Sequence, residues 1–183
     1  FKDQNSSLKG FLRQAMNSRL YQLSSAGNDL SADPFQGRYV LRRHHSEVLG
    51  EGIFQVAGLN YNGNDTNFRI NFGYPDVNDR SLMSARNNDL GLSQALMQAN
   101  SPSSISSRVT NSGSQVRALA TAVDGAQMTF DAAVTTIVRS ALSRNPTAAE
   151  LTALRSATNG ATNREALEDI AVGVANSAEF MFR

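Results

Sequence analysis

Histidine is the first residue type to consider for chemistry, and the sequence has only two, the adjacent His44 and His45. Neighbouring residues on a helix point about 100° apart, so these two cannot readily hold one metal ion together. Either could still bind a metal or transfer protons with Glu47 or Glu51 in a site completed by remote carboxylates. We expect the commoner outcome, in which these histidines cap a helix or form surface hydrogen bonds.

Arginine could supply an anion-binding site just before these histidines. Arg42 and Arg43 could bind a carboxylate or phosphate through paired hydrogen bonds, because the guanidinium group is planar and carries several donors. An internal salt bridge to Glu47 or Glu51 is the alternative that we expect. Arg42, Arg43 and Glu47 are therefore candidates for ligand binding.

A third candidate segment is Asp76-Val77-Asn78-Asp79, whose oxygen-bearing side chains alternate as at the start of a calcium loop. Arg80 and Ser81 follow, where such a loop needs another ligand and a turn glycine. The segment is therefore predicted to be a turn. No metal site and no cofactor are predicted, although His44, His45, Asp76 and Asp79 remain the candidate ligands.

Recognisable catalytic motifs are absent from the sequence. It has no Gly-rich phosphate loop, no Gly-x-Ser-x-Gly elbow, no His-Glu-x-x-His and no cysteine. Disulfides, thiol catalysis and thiolate metal sites are thereby excluded. A glycosidase with paired carboxylates stays open, because its two acidic residues can be remote in sequence.

Composition limits the partners and the architecture. The 183 residues carry 17 Lys and Arg against 16 Asp and Glu, and this balance argues against nucleic-acid binding. No apolar run approaches the roughly 18 residues that a membrane span needs. Hydrophobic residues make up 40% of the chain and Trp is absent, so small aliphatic side chains must form the core, as in closely packed helices.

The order of elements predicts a mainly α-helical fold with a small β-hairpin. Region 1–114 is predicted to hold an amphipathic helix from Leu8 to before Ser24, a second helix over 42–57 closed by Gly58, and a hairpin near 59–73. A short helix over 90–99 follows, and the Ser-rich stretch 101–114 is either a linker or a helix around Ile105 and Val109.

Region 115–183 is predicted to be a three-helix bundle that packs with the first region as one domain. An apolar stripe spans 130–142 and ends before Asn145-Pro146. Capping-box sequences open the two following helices, from Thr147 to Glu150 and from Thr162 to Glu165. Short connections favour antiparallel packing of the three helices.

Motifs spread over nearly the whole chain resemble those of one family. The segment NSRLYQLSS at 17–25 is similar to the S-R-x-Y-Q-L-S-S helix end of that family. Its R-R-L-x-A-E-x-L and V-S-G motifs are similar to Arg42-Arg43 with SEVL at 46–49 and to VAG at 56–58. FGYP at 72–75, Arg86 and LSQALMQANSP at 92–102 continue the order, which SRNPTAAEL at 143–151 and NSAEFMF at 176–182 complete. The chain thus resembles the domain of unknown function 1553, the C-terminal domain of large planctomycete-type exported proteins often linked to cytochrome-c-like domains.

This resemblance implies a helical fold and export, and it adds Arg86 to the candidate binding residues. Many relatives carry a Cys-x-Cys pair just before that arginine, whereas Leu82 and Ser84 stand here. The difference argues against a thiol or haem role at this place. Because the family domain starts upstream of Phe1, we expect this chain to be its C-terminal portion.

The leading hypothesis is a non-catalytic extracytoplasmic interaction or structural module of a larger exported bacterial protein. It would be periplasmic, secreted or on the cell surface, and its partners would be other domains of the same precursor, copies of itself or glycan. One alternative is an accessory or catalytic domain in polysaccharide degradation, using carboxylates such as Glu47 and Asp76. Another is a partner domain of a cytochrome-c-type electron-transfer protein, which requires a haem domain on the precursor.

Overall fold

The computed structural model describes residues 7–23, 43–61 and 105–182. Over these ranges the chain forms helices and no β-strand, which confirms the prediction of a mainly helical fold. The chain divides into two compact units, Phe1–Arg42 and Arg43–Arg183. The division predicted at residue 114 remains a prediction. The described helices are α1 (Leu8–Met16), α2 (Ser46–Ala57), α3 (Ile105–Val109), α4 (Gln115–Asp124), α5 (Phe130–Leu142), α6 (Ala148–Ala157), α7 (Asn163–Ala175) and α8 (Ala178–Met181).

The β-hairpin predicted near 59–73 is not supported. Residues 62–73 lie outside the described ranges, as does the helix predicted over 90–99, and residues 59–61 belong to no strand. Tyr61 instead packs its ring 5.1 Å from the ring of Phe54, centroid to centroid. This aromatic contact with α2 accounts for the side chain without cross-strand pairing.

The first unit contributes the described segment 7–23, with helix α1. Ser7 caps α1, because its hydroxyl accepts a hydrogen bond from the amide of Gly10 at 3.2 Å. The helix ends at Met16, earlier than predicted. The Ser18 hydroxyl there donates to the carbonyl of Ala15 at 2.6 Å, and such side-chain bonds to the backbone compete with helix continuation.

Helix α7 is the centre of the second unit and contacts α2, α3, α4, α5 and α8. Seven of its thirteen residues are buried, and Leu167 has no exposed surface. The largest side chains with almost no exposed surface on its neighbours include Leu49 of α2, Ile105 of α3 and Ile137 of α5. A continuous aliphatic core therefore surrounds α7, consistent with the absence of Trp.

Helix α4 was not predicted from the sequence, although it packs more extensively against α7 than any other described helix does. Ser114 begins it by accepting a hydrogen bond from the amide of Arg117 at 3.3 Å. Its buried stripe is short, comprising Val116, Leu119 and Ala120, and the Ser-rich sequence before it obscured this stripe. Of the two alternatives for 101–114, a linker or a short helix around Ile105 and Val109, the structure has the helix, α3.

The three-helix bundle predicted from α5, α6 and α7 needs a correction, because α6 is peripheral. It has no buried residue, and only the half-buried Leu151 and Leu154 pack against the core. Both predicted capping boxes are present, with Thr147 and Glu150 opening α6 and Thr162 and Glu165 opening α7. The caps thus set where the helices start, while α4 takes the packing position assigned to α6.

Glycines bring aromatic side chains close to α2. A Cβ on Gly52 would lie 3.0 Å from Cζ of Phe180, and one on Gly50 would lie 3.1 Å from the hydroxyl oxygen of Tyr61. The absence of side chains at these two positions therefore lets aromatic rings pack closely against α2. Gly58 ends α2 in the left-handed conformation, with φ of 66°, as predicted.

Leucine-to-alanine substitutions should destabilise the chain more on the central helix α7 than on the peripheral helix α6. Leu167→Ala on α7 should lower the free energy of unfolding by about 2–5 kcal/mol, the range for a leucine in a tight core. Leu154→Ala on α6 should lower it by less than about 2 kcal/mol, since the Leu154 side chain is only half buried in the folded chain. Urea unfolding followed by circular dichroism measures both, and equal losses would contradict the peripheral position of α6.

The two helical glycines Gly52 and Gly173 make a matched pair. A Cβ on Gly173 would meet nothing within 4 Å, so Gly173→Ala should raise the free energy of unfolding by about 0.5–1 kcal/mol through lower backbone entropy in the unfolded chain. Gly52→Ala should show no such gain, because its methyl group must displace Phe180. Thermal unfolding of the two variants measures the difference, and an equal gain in both would refute the ring contact.

Candidate functional site

The structure describes four of the predicted site residues, Arg43, His44, His45 and Glu47. Arg42, Asp76, Asp79 and Arg86 lie outside the described ranges, so their proposed roles stay predictions. Glu47 lies in the first turn of α2, where its negative charge interacts favourably with the helix dipole. Its carboxylate also accepts a hydrogen bond from the Ser46 hydroxyl at 3.0 Å. His45 is the N-cap residue of α2, with no side-chain capping bond.

Arg43 lies in the interior, with only 3% of the residue exposed. Its backbone pairs with Phe182 in an isolated antiparallel bridge, and the amide of His44 donates to the carbonyl of Met181 at 2.9 Å. Burial lowers the pKa of the Arg43 guanidinium, whose Nε atom has no hydrogen-bond partner. The backbone of Arg43 therefore joins the start of the second unit to its last described residues. Its side chain is too deeply buried to bind a ligand from solvent.

The described residues contain no group of side chains arranged to coordinate a metal ion. Across 7–23, 43–61 and 105–182, no three His, Cys, Asp or Glu side chains come together in a way that could hold an ion. No helix in these segments is both long enough and apolar enough to cross a membrane. The arrangement that does gather charged groups lies elsewhere, where α5, α6 and α8 meet.

Arg144 connects two carboxylates at this meeting point, and we call Arg144, Glu150 and Glu179 the corner ion cluster. Its Nε and Nη2 atoms each donate to Glu179 at 2.7 Å. Its Nη2 and Nη1 atoms also donate to Glu150, at 2.7 and 3.0 Å. Paired hydrogen bonds of this kind fix the relative positions of the groups more firmly than a single ion pair.

Hydrogen bonding sets the charge state of the corner ion cluster. Hydrogen bonds to Glu179 and then to Glu150 raise the pKa of Arg144. The hydrogen bonds from Arg144 lower the pKa of Glu179. The bond from Arg144, followed by those from Thr147, lowers the pKa of Glu150 to about 2. At neutral pH the cluster therefore holds one positive and two negative charges, and its carboxylates are poor proton donors.

A pocket of about 270 Å³ opens beside the corner ion cluster, and we call it the corner pocket. Its walls are mainly apolar, and Arg144, Glu150 and Glu179 form its polar side. Gly173 leaves room on the α7 side, where a Cβ would meet no atom within 4 Å. The apolar lining includes Val138, Leu142, Pro146, Ala153, Leu154 and Val174.

A second pocket of about 260 Å³ adjoins the first and shares Leu142 and Glu179 with it. We call it the His44 pocket, because His44 lines it together with residues of α2. One of these, Val48, is 51% exposed. Together the two pockets make a recess that is mainly apolar in the corner pocket and half polar in the His44 pocket, with Glu150 and Glu179 at its side. Such a recess can accept an apolar group carried by a positively charged partner.

Little in the sequence predicts the corner ion cluster. Arg144 follows the apolar stripe over 130–142, and Glu150 belongs to a predicted capping box. Glu179 lies 35 residues from Arg144, so no local pattern predicts that the two side chains are bonded. The unusual feature in hindsight is an arginine placed six residues before a capping glutamate and near a proline turn.

Acid should weaken the corner ion cluster in a predictable window. Because the folded pKa of Glu150 lies below its ordinary value of 4.5, its contribution to stability is present above about 4.5 and is lost as the pH falls toward about 2. Glu150→Gln should therefore flatten the pH dependence of unfolding in this window. Urea unfolding at a series of pH values measures it.

Glu165→Gln is the control for that experiment, since Glu165 occupies the same capping-box position on α7. Hydrogen bonds from Thr162 lower its pKa, as does the charge of Arg164 to a smaller extent. Among the described residues, no arginine makes the paired hydrogen bonds to Glu165 that Arg144 makes to Glu150. The control should flatten the curve less. A larger effect from Glu165→Gln would show that the cap, and not Arg144, controls the acid response.

Comparisons with known proteins leave the family open. No family model matches the sequence, and no match was found among curated proteins or solved structures. The resemblance to the domain of unknown function 1553 therefore rests on the motifs quoted above.

Proposed function

We propose that this chain is a non-catalytic extracytoplasmic interaction or structural module of a larger exported bacterial protein. The observation that carries the proposal is the exposed apolar face of α1. Leu8, Leu12 and Met16, spaced four residues apart, are 65, 48 and 53% exposed. Export and membership of a larger protein are supported by the motif resemblance alone.

Phe11 of α1 is 45% exposed, and Leu20 and Tyr21, which follow the helix, are 59 and 64% exposed. Single exposed apolar residues are ordinary, but a contiguous group of them on one side of a helix marks interaction surfaces. Covering one such side chain contributes about 1.5–3 kcal/mol when burial is complete. Several together suffice for association with another protein surface.

Charge supports the same interpretation. Segment 7–23 contains Lys9, Arg13 and Arg19 and no acidic residue. With 100° of rotation per residue, Lys9 and Arg13 border the apolar face of α1 on the side of Met16. A partner surface would therefore combine apolar recesses with acidic groups.

Leu12→Glu tests the proposal, because it places a charge in the centre of the apolar face. Light scattering across a concentration series, together with pull-down of glycans and of the precursor's other domains, should show association for the original chain and its loss for this variant. Thermal unfolding should be unchanged, since Leu12 is exposed and contributes nothing to the core around α7.

Gln14→Glu is the matched control, with the same added charge on the polar side of the same helix. It should associate nearly as the original chain does. A chain that stays strictly monomeric and binds neither protein nor glycan would refute the proposed function, as would equal losses in the two variants.

A further inference from the structure

We propose that the corner pocket and the adjoining His44 pocket receive helix α1 of a second copy of this chain. This inference rests on the proposed function and names its partner. It depends on three matches between separate parts of the sequence: the size of the recess, its charge and the spacing of side chains on α1.

The size of each pocket is suited to side chains of a partner. The two pockets measure about 270 and 260 Å³. Each is suited to one or two apolar side chains. Because the pockets share Leu142 and Glu179, they offer neighbouring places for side chains that belong to one partner.

Charge favours a cationic occupant. The lining of the two pockets carries the carboxylates of Glu150 and Glu179 against the guanidinium of Arg144, which leaves one net negative charge when His44 is neutral. Segment 7–23 brings three positive charges and no negative one. Complementary charge of this kind orients two surfaces and speeds their encounter.

Spacing favours a helix. Leu8, Leu12 and Met16 project from one side of α1 at intervals of four residues, about 5–6 Å apart. Amphipathic helices bind apolar grooves through side chains with this spacing. Leu12 and one of its neighbours would enter the two pockets, while Lys9 and Arg13 would lie toward Glu150 and Glu179.

Cysteine cross-linking tests the contact directly, because the chain contains no cysteine. Leu12→Cys and Gly173→Cys are made in separate full-length chains, which are mixed under mild oxidation. Cysteine at position 173 fits, since a Cβ there meets nothing within 4 Å. The expected product is a disulfide between positions 12 and 173, identified by mass spectrometry, and it can form only between two copies.

Gln14→Cys mixed with Gly173→Cys is the control, and it should cross-link at least about tenfold less, as expected when one side of a helix faces the partner. Equal yields from the two mixtures, or none from either, would overturn the inference. Association that persists and is sensitive to Leu12→Glu, but gives no 12–173 disulfide, would overturn it while leaving the proposed function standing.

Filling the pocket provides a second measurement that does not depend on oxidation. Gly173→Leu should weaken self-association by about tenfold or more, whereas Gly173→Ala should change it by less than about threefold, because one methyl group leaves most of the space open. Circular dichroism verifies that both variants fold. Unchanged self-association of a folded Gly173→Leu chain would also overturn the inference.

Discussion

Burial of α7 is the constraint on which the second unit depends. Five other helices contact this one helix, and it places Leu167, Ile170 and Ala171 in the core with almost no exposed surface. Its polar residue Glu168 is drawn inward too, with 9% of the residue exposed, and Arg117 of α4 meets it with a hydrogen bond of 3.0 Å. An unpaired carboxylate at this depth would be costly, so α4 supplies apolar packing and charge compensation together.

The remaining polar contacts attach the periphery to that centre. Arg155 of α6 pairs with Asp131 of α5 at 2.6 Å, and Asn163 at the start of α7 donates to Asp124 of α4 at 2.8 Å. These pairs are exposed and individually weak. The corner ion cluster differs because one guanidinium makes paired bonds to two helices at once. It therefore holds α6 and α8 at a fixed separation, and this separation leaves the corner pocket open.

Features written in local sequence could be predicted, whereas features made by packing could not. The capping boxes at Thr147 and Thr162 and the left-handed Gly58 depend on residues within a few positions, and the structure confirms them. The position of α4 depends on the pairing of Arg117 with Glu168, 51 residues away. The corner ion cluster depends on a contact across 35 residues. Neither leaves a periodic pattern in a single sequence, so the candidate site emerged only from the fold.

The bridge between Arg43 and Phe182 has a mechanical consequence. It brings the start of the second unit beside its last helix, joined by the bond from the amide of His44 to the carbonyl of Met181. Tension applied through residues 43 and 182 would load this bridge first, because it joins the two points at which the force acts. Since Met181 belongs to the aliphatic core and Phe182 packs against it, peeling the bridge open would begin to pull side chains out of that core.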